Sequence, residues 1–194
     1  MCQAVIAAFA AAAVSIAAAP AHAASAPPAG IADYSYIQVQ RVQMGSSGYF
    51  GDSAKGNGVK FSFQWSRHAF FYGDFDRLSF DRGSGHLYKT GAGLGYEQTQ
   101  GKVSAYLRGG YYRERVSSGE RSYYWEFAYG MRGALTKWLS LEGELYTDLR
   151  PEFGSRPWGV KVGAAAAFGP VSLHLVADHN RDVNALRAML RFAF

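Results

Sequence analysis

The chain has 194 residues, 48% of them hydrophobic, with a formal net charge of +5. That is enough apolar chain to bury a core, and it excludes a disordered protein. Its 20 Lys and Arg are scattered singly, a poor footprint for nucleic acid, and its single cysteine, Cys2, excludes a disulfide framework or a Cys-built zinc site.

Ala4 to Ala19 is apolar and alanine-rich, Pro20 breaks it, and Ala21-His22-Ala23 fits an A-x-A cleavage site. The stretch is shorter than the roughly 20 residues of a transmembrane helix and reads as a secretory signal peptide over 1–23, although Met1-Cys2-Gln3 lacks the usual positive start. A short extension, 24–32, follows. Removal of the signal leaves a cysteine-free chain that carries every charged residue.

From 33 to 194 no segment holds a helical apolar stripe. Two-residue alternation recurs instead, which predicts strands with two different faces. Ten are expected, at 33–42, 58–66, 68–80, 86–98, 102–114, 121–135, 138–149, 157–168, 171–179 and 184–194. The prolines all fall outside them or at their edges, as the ladder requires. Short turns near Arg67, Thr99 to Gly101, Thr136-Lys137 and Gly169-Pro170 alternate with longer polar loops at 43–57, 81–85, 115–120, 149–156 and 179–183. Short turns on one rim and long loops on the other predict a single antiparallel up-and-down transmembrane β-barrel. Ten strands are expected, with eight as the alternative.

Parity sharpens this. In the six later strands one parity runs Val103, Ala105, Leu107, Gly109, Tyr111; Trp125 to Leu135; Leu139 to Leu149; Trp158 to Phe168; Val171 to Ala177; and Leu186 to Phe194, without a charge. The other parity carries Arg108, Glu126, Arg132, Glu142, Glu144, Asp148, Lys161, Arg187 and Arg191. A soluble sheet with one wet face would sort charges the same way, but the aromatic residues favour a membrane. Trp65, Tyr96, Trp138, Phe168 and Phe194 fall at short-turn ends, and Tyr111, Trp125 and Trp158 at long-loop ends. Two aromatic girdles match two membrane interfaces.

The last strand alternates Leu186, Leu190, Phe192 and Phe194 with Arg187, Met189 and Arg191. Its Leu190, Phe192 and terminal Phe194 resemble the signal by which bacterial outer-membrane barrels are recognised for assembly. Together with Gly91-Ala92-Gly93-Leu94-Gly95-Tyr96, Tyr129-Gly130-Met131-Arg132-Gly133-Ala134-Leu135 and the paired Gly159-to-Phe168 and Val171-to-Asp178 strands, it makes 33–194 resemble the small outer-membrane barrels of the OmpA/OmpX-like superfamily. More narrowly, the chain resembles the diffusible-signal-regulated barrel family of xanthomonads. The resemblance implies a Gram-negative outer-membrane protein, with carriage in vesicles open, and a role in surface interaction, biofilm or virulence. It implies outer-membrane lipid and lipopolysaccharide, the barrel-assembly machinery and periplasmic chaperones as partners.

Chemistry-bearing residues are few. Asp74 and Asp76 on the third strand and Asp178-His179 on the ninth lie toward the long-loop rim, as the acidic pair and Asp/His pair of outer-membrane proteases do. Asp178 and His179 are adjacent, however, and so point to opposite faces. Ser172 and His174 share a face, which fits an ordinary hydrogen bond, and neither His86 nor His174 has a serine in a recognisable motif. His68, His86, His174 and His179 are not spaced for a metal. No catalytic residue, metal or cofactor is expected. The lumen of ten strands is narrow. Arg108, Glu126, Arg132, Glu142, Glu144, Lys161, Arg187 and Arg191 carry both signs and are expected to satisfy one another as a charge network, a plug more than a pore. The leading expectation is a non-enzymatic structural or surface-interaction barrel; a narrow ion or small-solute channel is the alternative, and a barrel-rim hydrolase a remote one.

Overall fold

The computed structural model describes residues 35–45, 53–81, 85–150, 158–180 and 184–194. They form ten strands: β1 (Tyr36–Gly45), β2 (Ala54–Gln64), β3 (Ala69–Phe80), β4 (His86–Gln100), β5 (Val103–Val116), β6 (Arg121–Ala134), β7 (Leu139–Leu149), β8 (Trp158–Phe168), β9 (Val171–Asn180) and β10 (Asn184–Ala193). Each strand pairs antiparallel with the next, and β10 pairs with β1, so the sheet closes with no free edge. The count is ten, not eight. The signal segment with Ala21 and Ala23, the extension 24–32 and the loop tip Ser46-Ser47-Gly48 lie outside the described residues.

Register sets the shape. Followed from partner to partner around the wall, Val103 leads through Gly133, Leu141, Ala164, Leu175, Ala188, Arg41, Asn57, Arg77 and Tyr88 to Arg115, twelve residues further along β5. A shear of twelve across ten strands tilts them by roughly 40° and places opposite backbones about 20 Å apart. Side chains from two facing walls nearly fill that width.

The short turns carry local devices. Gly101 and Gly169 have φ of 59° and 63°, in the left-handed region where a Cβ is strained, and each opens a two-residue connection. In the other two, Ser66 Oγ accepts from the backbone N–H of Ala69 at 3.0 Å and Thr136 Oγ1 from that of Leu139 at 3.0 Å. Among the longer connections, the 43–57 loop is overturned: pairing continues to Gly45 and resumes at Ala54. Gln43, Gly56, Asn57 and Gly58 look like loop residues, yet Gly56 and Gly58 lie where the wall is tightest. A Cβ on Gly56 would overlap the backbone of Arg77 and Leu78. β5 likewise runs past the expected end to Val116.

The two faces differ as parity requires. Leu94, Leu107, Phe127, Leu141, Val162, Leu175 and Leu190 point outward, while Gln38, Asp76, Glu126, Glu144 and Asp178 are buried inside. Trp65, Trp138, Phe168 and Phe194 lie exposed at the short-turn rim, and Tyr111, Trp125 and Trp158 toward the other. Tyr96 sits higher on the wall than expected, because β4 continues four residues beyond it to Gln100. From Trp125 down β6 to Leu135 the outer face spans about 25 Å along the axis at this tilt, the height of the apolar band of membrane barrels. Above that band the polarity inverts. Val42, Ala54, Leu78 and Leu87 form an apolar cluster inside the mouth with Met44, Phe80 and Val116, whereas Arg41, Lys55, Arg77, Arg113 and Arg115 face out. The wall of β1–β5 therefore behaves there like a soluble sheet.

Inside, bare glycines accept flat aromatic rings from neighbouring strands. Tyr146 covers Gly159, Tyr106 covers Gly130 and Phe70 covers Gly95, so closely that a Cβ would enter each ring. Such cover packs a narrow lumen and pins register. We expect Gly159→Ala to push Tyr146 aside and destabilise the barrel by about 1–3 kcal/mol, the usual range for overpacking, measured as a lower urea midpoint in detergent micelles. An unchanged midpoint would show that Tyr146 moves freely.

Candidate functional site in the lumen

The inward residues build one connected ionic ring, and every strand contributes to it. Its centre is Arg108 on β5. That guanidinium donates to Glu144 on β7 through Nε and Nη2 at 2.9 and 2.7 Å, and Nη2 lies 2.6 Å from Glu126 on β6. Gly130, the register partner of Glu144, is covered by the Tyr106 ring, whose hydroxyl donates to the same carboxylate at 3.0 Å. Lys161 on β8 also donates to Glu144 at 2.7 Å, and its ammonium sits 4.1 Å from the centre of the Tyr146 ring.

The ring continues through Tyr146, whose hydroxyl donates to Asp178 on β9 at 2.7 Å. Asp178 lies 3.7 Å from Arg187 on β10, which donates to Asp76 on β3 at 3.1 Å. Gln40 on β1 donates to the same Asp76. Lys60 on β2 faces Asp74 at 3.7 Å, and Lys89 on β4 faces Glu126 at 3.9 Å. Arg108 Nη1 donates to the Tyr72 hydroxyl on β3 at 3.4 Å and to the Tyr112 hydroxyl at 3.3 Å, and Tyr112 donates to Asp74 at 3.5 Å, which joins the charges of β2 and β3 to the centre. The carboxylates are almost dry: the side chains of Glu126, Asp76 and Glu144 are 4%, 4% and 9% exposed, while Lys60 and Lys89 keep 28% and 20%. Charges this buried hold only while paired and hydrogen-bonded.

Five of the eight expected lumen charges, Arg108, Glu126, Glu144, Lys161 and Arg187, meet in this ring. The other three lie nearer the short-turn rim. Arg132 and Glu142 face each other at 3.5 Å, and Arg191 donates to Gln38 at 3.0 Å while lying over Tyr36 at 4.0 Å, with no carboxylate partner among the described residues. The sequence places Asp74, Asp76 and Asp178 toward the rim rather than in the network, and leaves out Lys60, Lys89 and the tyrosines that link them. Of these charges, Lys60, Asp74, Asp76 and Lys89 lie on β2–β4 and Asp178 on β9. Inward parity on β2–β4 marks the first four; glycines and aromatic residues on the same face obscure it.

The other candidates are placed as follows. Asp74 and Asp76 face lumen cations, and Asp178 points inward to Arg187. His179 is exposed outside, with its ring nitrogen on Asn184. The acidic and Asp/His pairs therefore do not share a cleft. Ser172 Oγ and His174 Nε2 are 2.8 Å apart, but His174 Nδ1 has no hydrogen-bond partner among the described residues, so no carboxylate orients that ring. Ser79 Oγ lies 3.0 Å from His86 Nδ1, a cross-strand pairing that only register reveals. Among the described residues no three His, Cys, Asp or Glu side chains group to hold a metal. A cavity of about 200 Å³ in the lumen is lined by both charge signs; its volume is below the range of pockets that take drug-sized ligands.

No protein-family model matches the sequence, and no curated protein matches it. Among solved structures, the chain is similar to a KdgM porin, at 13% identity over 82% of this chain and 99% of that one, with a TM-score of 0.47. It is also similar to Neisserial surface protein A, at 20% over 82% and 96%, TM-score 0.43, and to an outer-membrane channel from Pseudomonas putida F1, at 12% over 89% and 100%, TM-score 0.48.

The ring predicts an asymmetry between carboxylates. Glu144→Ala strands Arg108 and Lys161 in a dry lumen and is expected to cost about 3–5 kcal/mol. Glu142→Ala removes one longer, wetter contact and is expected to cost about 1 kcal/mol or less. Equilibrium unfolding in urea with detergent micelles compares them; equal costs would mean that the ring is not a cooperative unit.

Proposed function

We propose that the protein spans an outer membrane as a closed, non-conducting barrel and acts through its wall and rims, as a structural or surface-contact element of the envelope rather than as an enzyme. The location rests on the apolar outer band, its two aromatic girdles and the inversion of polarity above it. The closed lumen rests on one observation: the ionic ring draws a side chain from each of the ten strands across a barrel only about 20 Å wide. Groups that neutralise one another leave no single-signed path for an ion or an acidic solute.

A second reading is a narrow channel, favoured by the 200 Å³ of space that touches residues near both rims, from Tyr36 to Arg150. Planar-bilayer recording on purified protein separates the two. The plug predicts no steady conductance at moderate voltage; a sustained open level would make the channel the better account.

The closing strand is proposed as the assembly handle. Leu190 and Phe192 face outward, and Phe194 is 73% exposed while its backbone N–H donates to the Ser35 carbonyl at 3.0 Å. So exposed a ring contributes little buried area to the finished barrel. Deleting Phe194 is expected to leave refolding in detergent nearly unchanged while sharply lowering outer-membrane levels in cells, read by fractionation. Normal levels would remove the assembly role.

A further inference from the structure

Among the described residues, the largest cluster of charge without a counter-charge lies on the outer wall, not in the lumen. Arg77, Arg113, Arg115 and Arg121 all point outward and are exposed. Register gathers them: Arg77 lies opposite Tyr88, Tyr88 opposite Arg115, and Arg115 directly opposite Arg121. Arg113, opposite Tyr123, completes the patch. Like charges directly opposite across a strand pair are destabilising, so Arg115 and Arg121 are held together at a cost.

Nothing among the described residues offsets that cost. No outward position on β3–β6 is acidic; Asp74, Asp76, Glu97, Glu114 and Glu126 all take the inward parity. Among the described residues none of the four arginines forms an ion pair, and neither does Glu120, which precedes Arg121 in the chain. Lys55, at the edge of the same wall, differs. It lies 2.9 Å from Asp81, and the hydrogen bonds of Lys55 and Ser53 hold that carboxyl below its usual range.

The patch is also prepared geometrically. Arg77 lies over the Tyr88 ring and Arg113 over the Tyr123 ring, each at 5.8 Å. Tyr123 stacks on Tyr111 at 6.2 Å, and Tyr111 packs on Trp125 at 5.3 Å. The Arg113 guanidinium therefore stands on the upper aromatic girdle through Tyr123, at the level where a bilayer presents its headgroups. Among the described residues of the facing wall, the corresponding outward positions hold Leu149, Trp158 and Asn184, which are uncharged.

We infer that these four arginines form a binding site for the phosphates of a lipid headgroup in the leaflet that meets the long-loop rim. Arginine matches phosphate in a bidentate fork, Tyr88 and Tyr123 support two of the four forks, and the acyl chains of the same molecule would lie on the apolar band below. A phosphorylated glycolipid such as lipid A fits this best, because its two phosphates can engage arginines on different strands. The inference rests on the membrane-spanning reading above.

The test uses full-length protein refolded in non-ionic detergent and titrated with bisphosphorylated lipid A, with bound lipid counted by native mass spectrometry. Each basic residue near an anionic lipid surface strengthens binding by roughly fivefold. We therefore expect the parent to prefer bisphosphorylated over fully dephosphorylated lipid A by at least tenfold, and the variant with all four arginines changed to Gln to lose that preference. The variant should keep its heat-modifiable gel mobility. Should it not fold, Arg115→Gln with Arg121→Gln serves instead: relief of the like-charge pair leaves that variant at least as stable as the parent, with the preference reduced. Equal preference in parent and a folded variant would overturn the site, as would equal binding of dephosphorylated lipid. Displacement by equimolar inorganic phosphate would make it a site for free phosphate and overturn the lipid assignment. Failure of the membrane reading is distinct: the parent itself would be soluble without detergent and would show no heat-modifiable mobility.

Discussion

Charge cannot face hydrocarbon, and a closed sheet has only two faces. Nearly everything else in this protein follows from that pair of constraints. Once Leu107, Phe127 and Leu141 occupy the outer face, alternation sends Arg108, Glu126 and Glu144 inward whether or not the interior welcomes them. A shear of twelve then makes the interior too narrow for hydration of each charge separately. Mutual pairing is the arrangement that remains, and it must reach across strands that are distant in sequence, as Arg187 and Asp76 are.

Pairing at such range needs room at intermediate positions. Gly130 lets Tyr106 lie flat and reach Glu144, and Gly159 lets Tyr146 lie flat and reach Asp178. Glycine on the inner face, aromatic cover and ionic ring are thus one solution to a single packing problem. The same logic explains the mouth. Where the wall of β1–β5 rises out of the apolar band, the outer face no longer has to exclude charge, and the inner face takes Val42, Leu78 and Leu87. On the proposed membrane-spanning reading, the outward arginines mark the height at which hydrocarbon ends.

Much of this was legible in the sequence, for a local reason. Two-residue alternation on β5–β10 is a property of neighbouring residues, so strand number, facing and girdles could be read without any partner. The upper β1–β2 hairpin was not legible, because Gly56, Asn57 and Gly58 serve equally well in a loop or beside a crowded strand, and only the approach of Arg77 decides. The outward parity of β5 also continues past Tyr111 into Arg113 and Arg115, a change of sign that has meaning only once the strand is known to reach Val116. The wiring of the lumen was beyond reach for the same reason. Arg108 and Glu144 are 36 residues apart, and which carboxylate it meets depends on shear, which no local pattern encodes.

The central claim is that one strand passes from hydrocarbon to water between its apolar and its cationic outward residues. Single-cysteine spin labelling measures this directly, since Cys2 is the only native cysteine. Cys2 would be replaced and labels placed in turn at Leu107, Arg115 and Glu126 of the barrel in lipid vesicles. The account predicts a label at 107 that collides with oxygen and is shielded from an aqueous nickel reagent, a label at 115 with the reverse preference, and a label at 126 shielded from oxygen. A label at 107 open to the nickel reagent would contradict it.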